Sequence, residues 1–491
     1  RGAKAKRAQR RPPAWRGKLR RAAGGGRGVR ARAVGGVRPA PHERALDALR
    51  PLLRRPVALG QWPGVAAAVF VDGRPRILEE AGHADLEGRV PMTSRSLVRV
   101  FSMTKCVVAA AVLQLADEGS LGLDDPLGDH LPAFREMRVL LEGADGLPGR
   151  TVPAQRPITV RHLLTHTSGL SCGLSAGIDG PKRRGARERA WCRPYASLVS
   201  GVDRGDFRDL GEWVAALAQL PLQSQPGRHY AYGYSYDVLG HLVEVKAGCG
   251  LERALRRRIL APLGMADTRF SLEGSGRRAA RLSVLYRRTR ARGFGGDGRR
   301  LRLVRVDPPP PGPGRGARQR GSRWLPRCCV PSGGGALSSL EGGLLSTLED
   351  YSRFLLAVTS GGAHPASGAR VLSPRAAELM LADQTAALGP RPRAAASPYG
   401  DRGLGLSCLG ELQRQGAPSW GEWFDGIPGV RQWGGAASTA FKFDPNGGRP
   451  ILAVVMTQVL PQESGATISS VVARARELLE RERGGPRGEA E

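Results

Sequence analysis

The sequence predicts an α+β fold in which one central antiparallel sheet is flanked by helices and joined to a mostly helical lobe. Three observations predict it. A helix and a hairpin pattern open the regular part of the chain, a pair of strand patterns and a helix close it, and helical periodicity fills most of the stretch between.

The elements follow in order. From Glu43, leucines at 46, 49, 52 and 53 recur at helical spacing. Val65–Val71, Asp72-Gly73 and Arg74–Glu80 read as two strands around an Asp-Gly turn, whose central positions need positive φ. Met103–Glu118 reads as a helix with apolar residues at 103, 106, 107, 110, 111 and 113. Pro157–Thr165 predicts a short helix. Asp209 caps a helix running to Leu220. Tyr236–Lys246 and Leu251–Leu260 form two more, separated by Gly248-Cys249-Gly250. Thr347 and Asp350 form a capping box that opens a helix through Leu356. Arg431–Phe443 and Pro450–Gln458 read as two strands with Asp444–Gly448 as their turn. A last helix, 466–482, places Ile468, Val471, Val472, Ala475, Leu478 and Leu479 on one face. No internal repeat is visible.

The chain has 491 residues, more than one core usually fills, so it is one large two-lobed unit or a domain with tails and insertions. Residues 1–42 are expected to be a disordered basic tail, 43–480 the folded domain, and 481–491 a disordered C-terminal tail. Within the domain, 273–331 reads as a basic low-complexity insertion. Its Asp297-Gly298 turn is compatible with a small hairpin, whereas the proline run after Asp307 suits neither helix nor sheet. The first residue is Arg1, not Met, which leaves open residues upstream of it.

The net charge of +31 suggests a nucleic-acid partner until it is divided up. Residues 1–42 hold 14 Lys/Arg and no acid, and 277–327 hold 16 against Asp297 and Asp307; these stretches supply 28 of the 31 charges. The remainder is near neutral, so no basic groove and no nucleic-acid partner are expected. The 68 Arg against seven Lys, with abundant Ala, Gly and Pro, match GC-rich coding without selection for charge. No apolar run reaches the roughly 20 residues a membrane-spanning helix needs. Seven cysteines without CxxC spacing argue against a disulfide framework or structural zinc and fit a reducing intracellular compartment. Organelle targeting stays open, although a transit peptide should be Ser-rich and this basic N-terminus has no Ser.

The sharpest chemical feature is Ser102-Met103-Thr104-Lys105 at the head of the apolar helix. Residues three apart share a helix face, so the Ser hydroxyl and Lys amine come within reach, with Ser at the positive end of the dipole. A hydroxyl needs an adjacent base. Lysine serves only if burial lowers its pKa, and Arg cannot serve at all. In a chain that otherwise uses Arg, position 105 keeps an amine.

Arg99–Lys105, followed by Leu121–Leu127, resembles the serine β-lactamase and penicillin-binding-protein-like superfamily, closest to the class C β-lactamase-like esterases. Four further stretches carry the resemblance in order: 64–72 with 84–88; 158–169; 226–240 with 262–265; and Trp433-Gly434-Gly435-Ala436. The resemblance implies a β-lactamase/transpeptidase-like fold. It implies Ser102 as nucleophile, Lys105 as its activating partner and Tyr232 as a catalytic tyrosine. A tyrosinate beside a Lys ammonium would be a suitable base. Trp433, Gly434 and Gly435 take the place of the family's Lys-Thr-Gly motif. The backbone N–H groups of Ser102 and Ala436 would form the oxyanion hole. Tyr234 stands where lactamases place Asn, and Trp433 where they place Lys. With Tyr234, Trp433, Gly434 and Gly435 as substrate-binding residues, both departures favour neutral esters over β-lactams. The bland alternatives are that Tyr232 merely packs a strand with Tyr230, Tyr234 and Tyr236, and that Trp433 is core packing beside a Gly turn.

Other motifs carry less. Gly169–Gly173 fits the nucleophile elbow around Ser171 but lacks the strand before it and the helix after it. His162 and His166 share a face without a third ligand and read as structural, so no metal is expected. Gly24–Gly26 and Gly333–Gly335 are linker-like and follow no strand. The resulting expectation is a serine hydrolase that works through an acyl-enzyme, a carboxylesterase on small or medium acyl esters, with no cofactor. The alternatives are a catalytically silent scaffold or filament-forming protein, and β-lactamase or D-amino-acid peptidase activity. A basic tail and insertion binding an acidic surface is a further rival. Acyl group, oligomeric state and compartment are left open.

Overall fold

The structure is a computed structural model that describes residues 45–142, 148–170, 197–198, 201–202, 204–229, 232–272, 276–290, 301–307, 343–384, 409–410, 429–462 and 464–483. The basic tail 1–42, Ser171, Tyr230, the Asp297-Gly298 turn, the proline run and Gly333–Gly335 lie outside them.

After α1 (Arg50–Ala58) come β1 (Gly64–Val71), β2 (Arg74–Asp85), β3 (Val90–Pro91) and β4 (Val98–Arg99). The Asp72-Gly73 turn adopts positive φ at both residues, 55° and 67°, as the hairpin reading requires. A 3₁₀ turn, Phe101–Met103, leads into α2 (Thr104–Asp117). Then follow β5 (Arg138–Glu142), β6 (Pro148–Pro153), α3 (Val160–Leu164), α4 (Leu210–Ala218), α5 (Ser235–Ala247) and α6 (Leu251–Leu255), the last continuing as a π turn to Leu260. Next come β7 (Tyr286–Arg290), β8 (Leu301–Arg305), β9 (Leu345–Ser346), α7 (Leu348–Thr359) and α8 (Pro374–Leu381). The chain closes with β10 (Leu409–Gly410), β11 (Arg431–Gly434), β12 (Ala440–Asp444), β13 (Ile451–Met456), β14 (Val459–Leu460) and α9 (Ser464–Arg483).

The central sheet has seven strands in the order β10-β11-β12-β13-β1-β2-β3, and its neighbours are antiparallel. Strand β1, held between β13 and β2, is buried along its whole length. Alternate residues serve opposite cores. Ala66, Ala68 and Phe70 face the cluster that contains α2, α5 and α7; Val65, Ala67, Val69 and Val71 face α1 and α9. Helix α2 is buried on every side, with Cys106 to Leu113 inaccessible or nearly so, which explains its continuous apolar sequence. Each valine or leucine there contributes about 1.5–3 kcal/mol relative to exposure.

Three readings change in detail. The expected strand Arg431–Phe443 is two strands. It folds back after Gly434, with Ser438 at φ 64°, so that Trp433 pairs with Phe441 and Gly434 with Ala440. The Thr347–Asp350 box is half made: Thr347 Oγ1 accepts the Asp350 N–H at 3.1 Å. The Asp350 carboxylate is taken instead by the N–H groups of Asp267 (2.8 Å) and Thr268 (3.0 Å), which staples a distant turn to α7. Within the stretch read as an insertion, β7 and β8 form an antiparallel hairpin, and Val284, Leu285 and Tyr286 are buried.

Candidate active site

Ser102 sits where β4 ends and the 3₁₀ turn begins, and the backbone there is heavily fastened. Phe101 holds φ 47°, a left-handed conformation that costs a bulky residue about 1–3 kcal/mol and persists only where its surroundings enforce it. Four carbonyls around Ser102 receive side-chain donors. Gln458 Nε2 donates to Arg99 O (3.1 Å), Thr439 Oγ1 to Val100 O (3.4 Å), Trp433 Nε1 to Ser102 O (2.8 Å) and Tyr351 Oη to Met103 O (2.7 Å). Gln458 also accepts the Arg99 N–H at 3.1 Å.

The side chains then converge. Ser102 Oγ lies 2.6 Å from Tyr232 Oη and 3.5 Å from Lys105 Nζ. The Lys105 amine also stands 4.7 Å from the centroid of the Tyr232 ring. Lys105 is fully buried, and desolvation lowers its pKa from 10.5 to about 8; the buried Asp237 carboxylate acts in the opposite direction. Burial pushes the Tyr232 phenol up, and the Ser102 hydrogen bond offsets only part of that. Against the expected tyrosinate, desolvation and the Asp237 charge raise this phenol, and the Ser102 hydrogen bond acts in the other direction. Lysine is the group with access to its basic form near neutral pH.

The segment after β11 closes against the turn that carries Ser102. A Cβ on Gly435 would collide with Val100 O and Thr439 Oγ1, so only glycine admits this approach. Ala436 then clusters with Phe101, next to Ser102. Gly434 ends β11, in register with Ala440. Trp433 is buried, with its indole N–H committed to the Ser102 carbonyl and its ring 6.0 Å from that of Tyr232. Expected at the substrate, it holds the Ser102 backbone through that bond. Tyr234, also expected at the substrate, is 1% exposed and packs edge-on against Trp213 at 5.2 Å. It immediately precedes α5, and its carbonyl accepts the N–H of Asp237.

Two residues matter more than their sequence suggested. His166, at φ 53°, is buried with its ring 4.7 Å from Tyr232 and 5.0 Å from Tyr236. Burial, then the nearby Lys105 charge, hold its pKa well below 6.5, so it packs the tyrosine as a neutral ring. Asp237 sets the field around Lys105. Its place five residues after Tyr232 was visible in the sequence; its burial beneath the amine was not. His162 caps its own helix, with Nδ1 accepting the Thr159 N–H at 3.1 Å. Among the described residues no cluster of three His, Cys, Asp or Glu side chains could hold a metal, and no helix is long and apolar enough to cross a membrane.

A sheet flanked by helices, with a Ser-x-x-Lys turn and a tyrosine facing it, defines a β-lactamase/transpeptidase-like fold. The chain belongs to the Beta-lactamase family, whose profile matches residues 49–476. An uncharacterised protein of Mycobacterium tuberculosis is 32% identical over 403 residues, 82% of this chain and 87% of that protein. Esterase EstB of Burkholderia gladioli is 36% identical over 207 residues, 42% of this chain and 47% of the esterase. Among solved structures, EstCE1, described as a hydrolase with promiscuous acyltransferase activity, superposes with a TM-score of 0.61 at 22% identity, covering 89% of this chain and 99% of its own.

Proposed function

We propose that the chain is a serine hydrolase acting through an acyl-enzyme, specifically a carboxylesterase for small or medium acyl esters. The observation that carries the reading is the convergence of Ser102, Lys105 and Tyr232 around one hydroxyl. Neutral Lys105 takes the Ser102 proton as Oγ bonds to the ester carbonyl carbon. The carbonyl oxygen becomes an oxyanion facing the N–H groups of Ser102 and Ala436. Collapse breaks the ester C–O bond, and the leaving alkoxide takes a proton from Tyr232, which Lys105 replaces. Water then attacks the acyl carbon and gives a proton to the Lys105 amine; collapse breaks the Oγ–acyl bond, and the amine returns that proton to Ser102 Oγ as the acid leaves.

The ester preference rests on position 433. A lysine there would offer a cation to a substrate carboxylate; an indole bound to the Ser102 backbone offers none. EstB, an esterase by name, supports the same choice. Short-chain nitrophenyl esters should therefore exceed a chromogenic cephalosporin in kcat/KM by about 100-fold or more, the scale at which a missing charged contact is felt. Ser102→Ala should lower ester turnover about 10⁶-fold, as loss of a serine nucleophile does. A cephalosporin hydrolysed faster than the esters would replace the esterase reading with a β-lactamase one. Ester turnover surviving in Ser102→Ala would remove the nucleophile.

A further inference from the structure

Arg99 lies three residues before Ser102, with its side chain 5% exposed. Its guanidinium faces Asp307: Nη2 donates to Oδ1 at 3.0 Å and Nη1 to Oδ2 at 3.3 Å. The same Oδ2 accepts the Leu285 N–H at 2.8 Å, and the Val306 N–H donates to Leu285 O at 2.8 Å. The base of the β7–β8 hairpin is thus closed on itself and fastened to the strand that feeds the nucleophile. A small apolar cluster, separate from the two main cores, travels with it. Leu285 and Val306 come from the hairpin, Phe101 from beside Ser102, and Ala436 and Ala437 from the turn after Gly435. The strained Phe101 and the Ala436 turn therefore share one support.

We propose that Asp307 is a positioning residue for ester cleavage, holding Phe101 and Ala436 through Arg99 and Leu285 so that the two oxyanion N–H groups keep their spacing. The inference rests on the assignment of Ser102 as nucleophile and Ala436 as oxyanion donor. It gives the basic stretch around β7 and β8 a role in the site.

Removing one partner of a buried pair leaves an uncompensated charge, so Asp307→Ala lowers stability whether or not the pair serves catalysis. Asp307→Asn and Asp307→Glu separate the two cases. The experiment measures Ser102 labelling by a fluorophosphonate, steady-state hydrolysis of a nitrophenyl ester, and thermal unfolding, with the kinetics run well below the melting transition. In Asp307→Asn, labelling rate and kcat should fall together by about 10- to 100-fold, the effect of a sub-ångström to ångström misplacement, while KM stays within about threefold. The pH midpoint of kcat/KM should not move, because Lys105 is untouched, and Asp307→Glu should recover part of the rate. Wild-type labelling in a destabilised Asp307→Asn, or a rise in KM alone, would overturn the proposal. Absence of labelling in the wild-type chain would be a different failure, that of the hydrolase reading, and would remove this inference with it.

Discussion

Two buried lysines each approach a serine hydroxyl, on opposite faces of the central sheet. Lys442 in β12 donates to Ser469 Oγ of α9 at 2.9 Å; Lys105 in α2 stands 3.5 Å from Ser102 Oγ. Both amines are inaccessible, and the Lys442 contact is the shorter. The Lys105 serine carries the Tyr232 hydroxyl at 2.6 Å, and its backbone is fixed through four consecutive or near-consecutive carbonyls. The Lys442 pair joins strand β12 to helix α9. A Lys–Ser contact is therefore no dyad by itself. What distinguishes the candidate site is the third group and the backbone that aims the hydroxyl.

Exchange of the lysines should show the largest difference. Lys105→Arg keeps the charge but cannot release a proton, and should reduce kcat about 10²- to 10⁴-fold, nearly as much as Lys105→Met. Lys442→Met and Ser469→Ala should leave kcat/KM close to wild type in a steady-state ester assay. Comparable losses at both lysines would erase the contrast.

Stability should move the other way. An amine that titrates near pH 8 when folded and near 10.5 when unfolded binds fewer protons in the native state between those values. Stability therefore rises with pH through that window, and at pH 7 the buried amine costs about 3 kcal/mol. Chemical denaturation should find Lys105→Met inactive but more stable than wild type at pH 7, with the gain shrinking toward pH 10.5. A Lys105→Met chain less stable than wild type at pH 7 would mean that the amine is better solvated than its burial implies.

The smallest effect concerns Asp237, whose charge raises the Lys105 pKa against desolvation. The pH profile of wild-type kcat/KM should rise with a midpoint near 8, since the base acts unprotonated. In Asp237→Asn that rise should shift to lower pH. A shift to higher pH would place the controlling group elsewhere.

What the sequence disclosed follows the range of the interactions involved. Ser102 and Lys105 are three residues apart, and one helical turn brings them together, so local spacing sufficed. Tyr232 is 130 residues from Ser102 and was legible only through its family motif. The braces Gln458, Tyr351 and Trp433 act over more than 200 residues and carry no local signal. Tyr234 was put at the substrate by the family motif, where it stands in place of an Asn; its packing against Trp213, just before the helix that starts at Ser235, has no such signal. The strand 431–443 was read as continuous because both arms of a tight hairpin share period-2 alternation. Only Gly434-Gly435 marked the reversal.

The central claim is that Ser102 is the acylated residue. Treating the wild-type chain with a fluorophosphonate, digesting it and sequencing the modified peptide by mass spectrometry tests this directly. The account predicts one adduct per chain, on the peptide that carries Ser102, and none in Lys105→Met over the same interval. An adduct on Ser171 or Ser469, or equal labelling after Ser102→Ala, would contradict it.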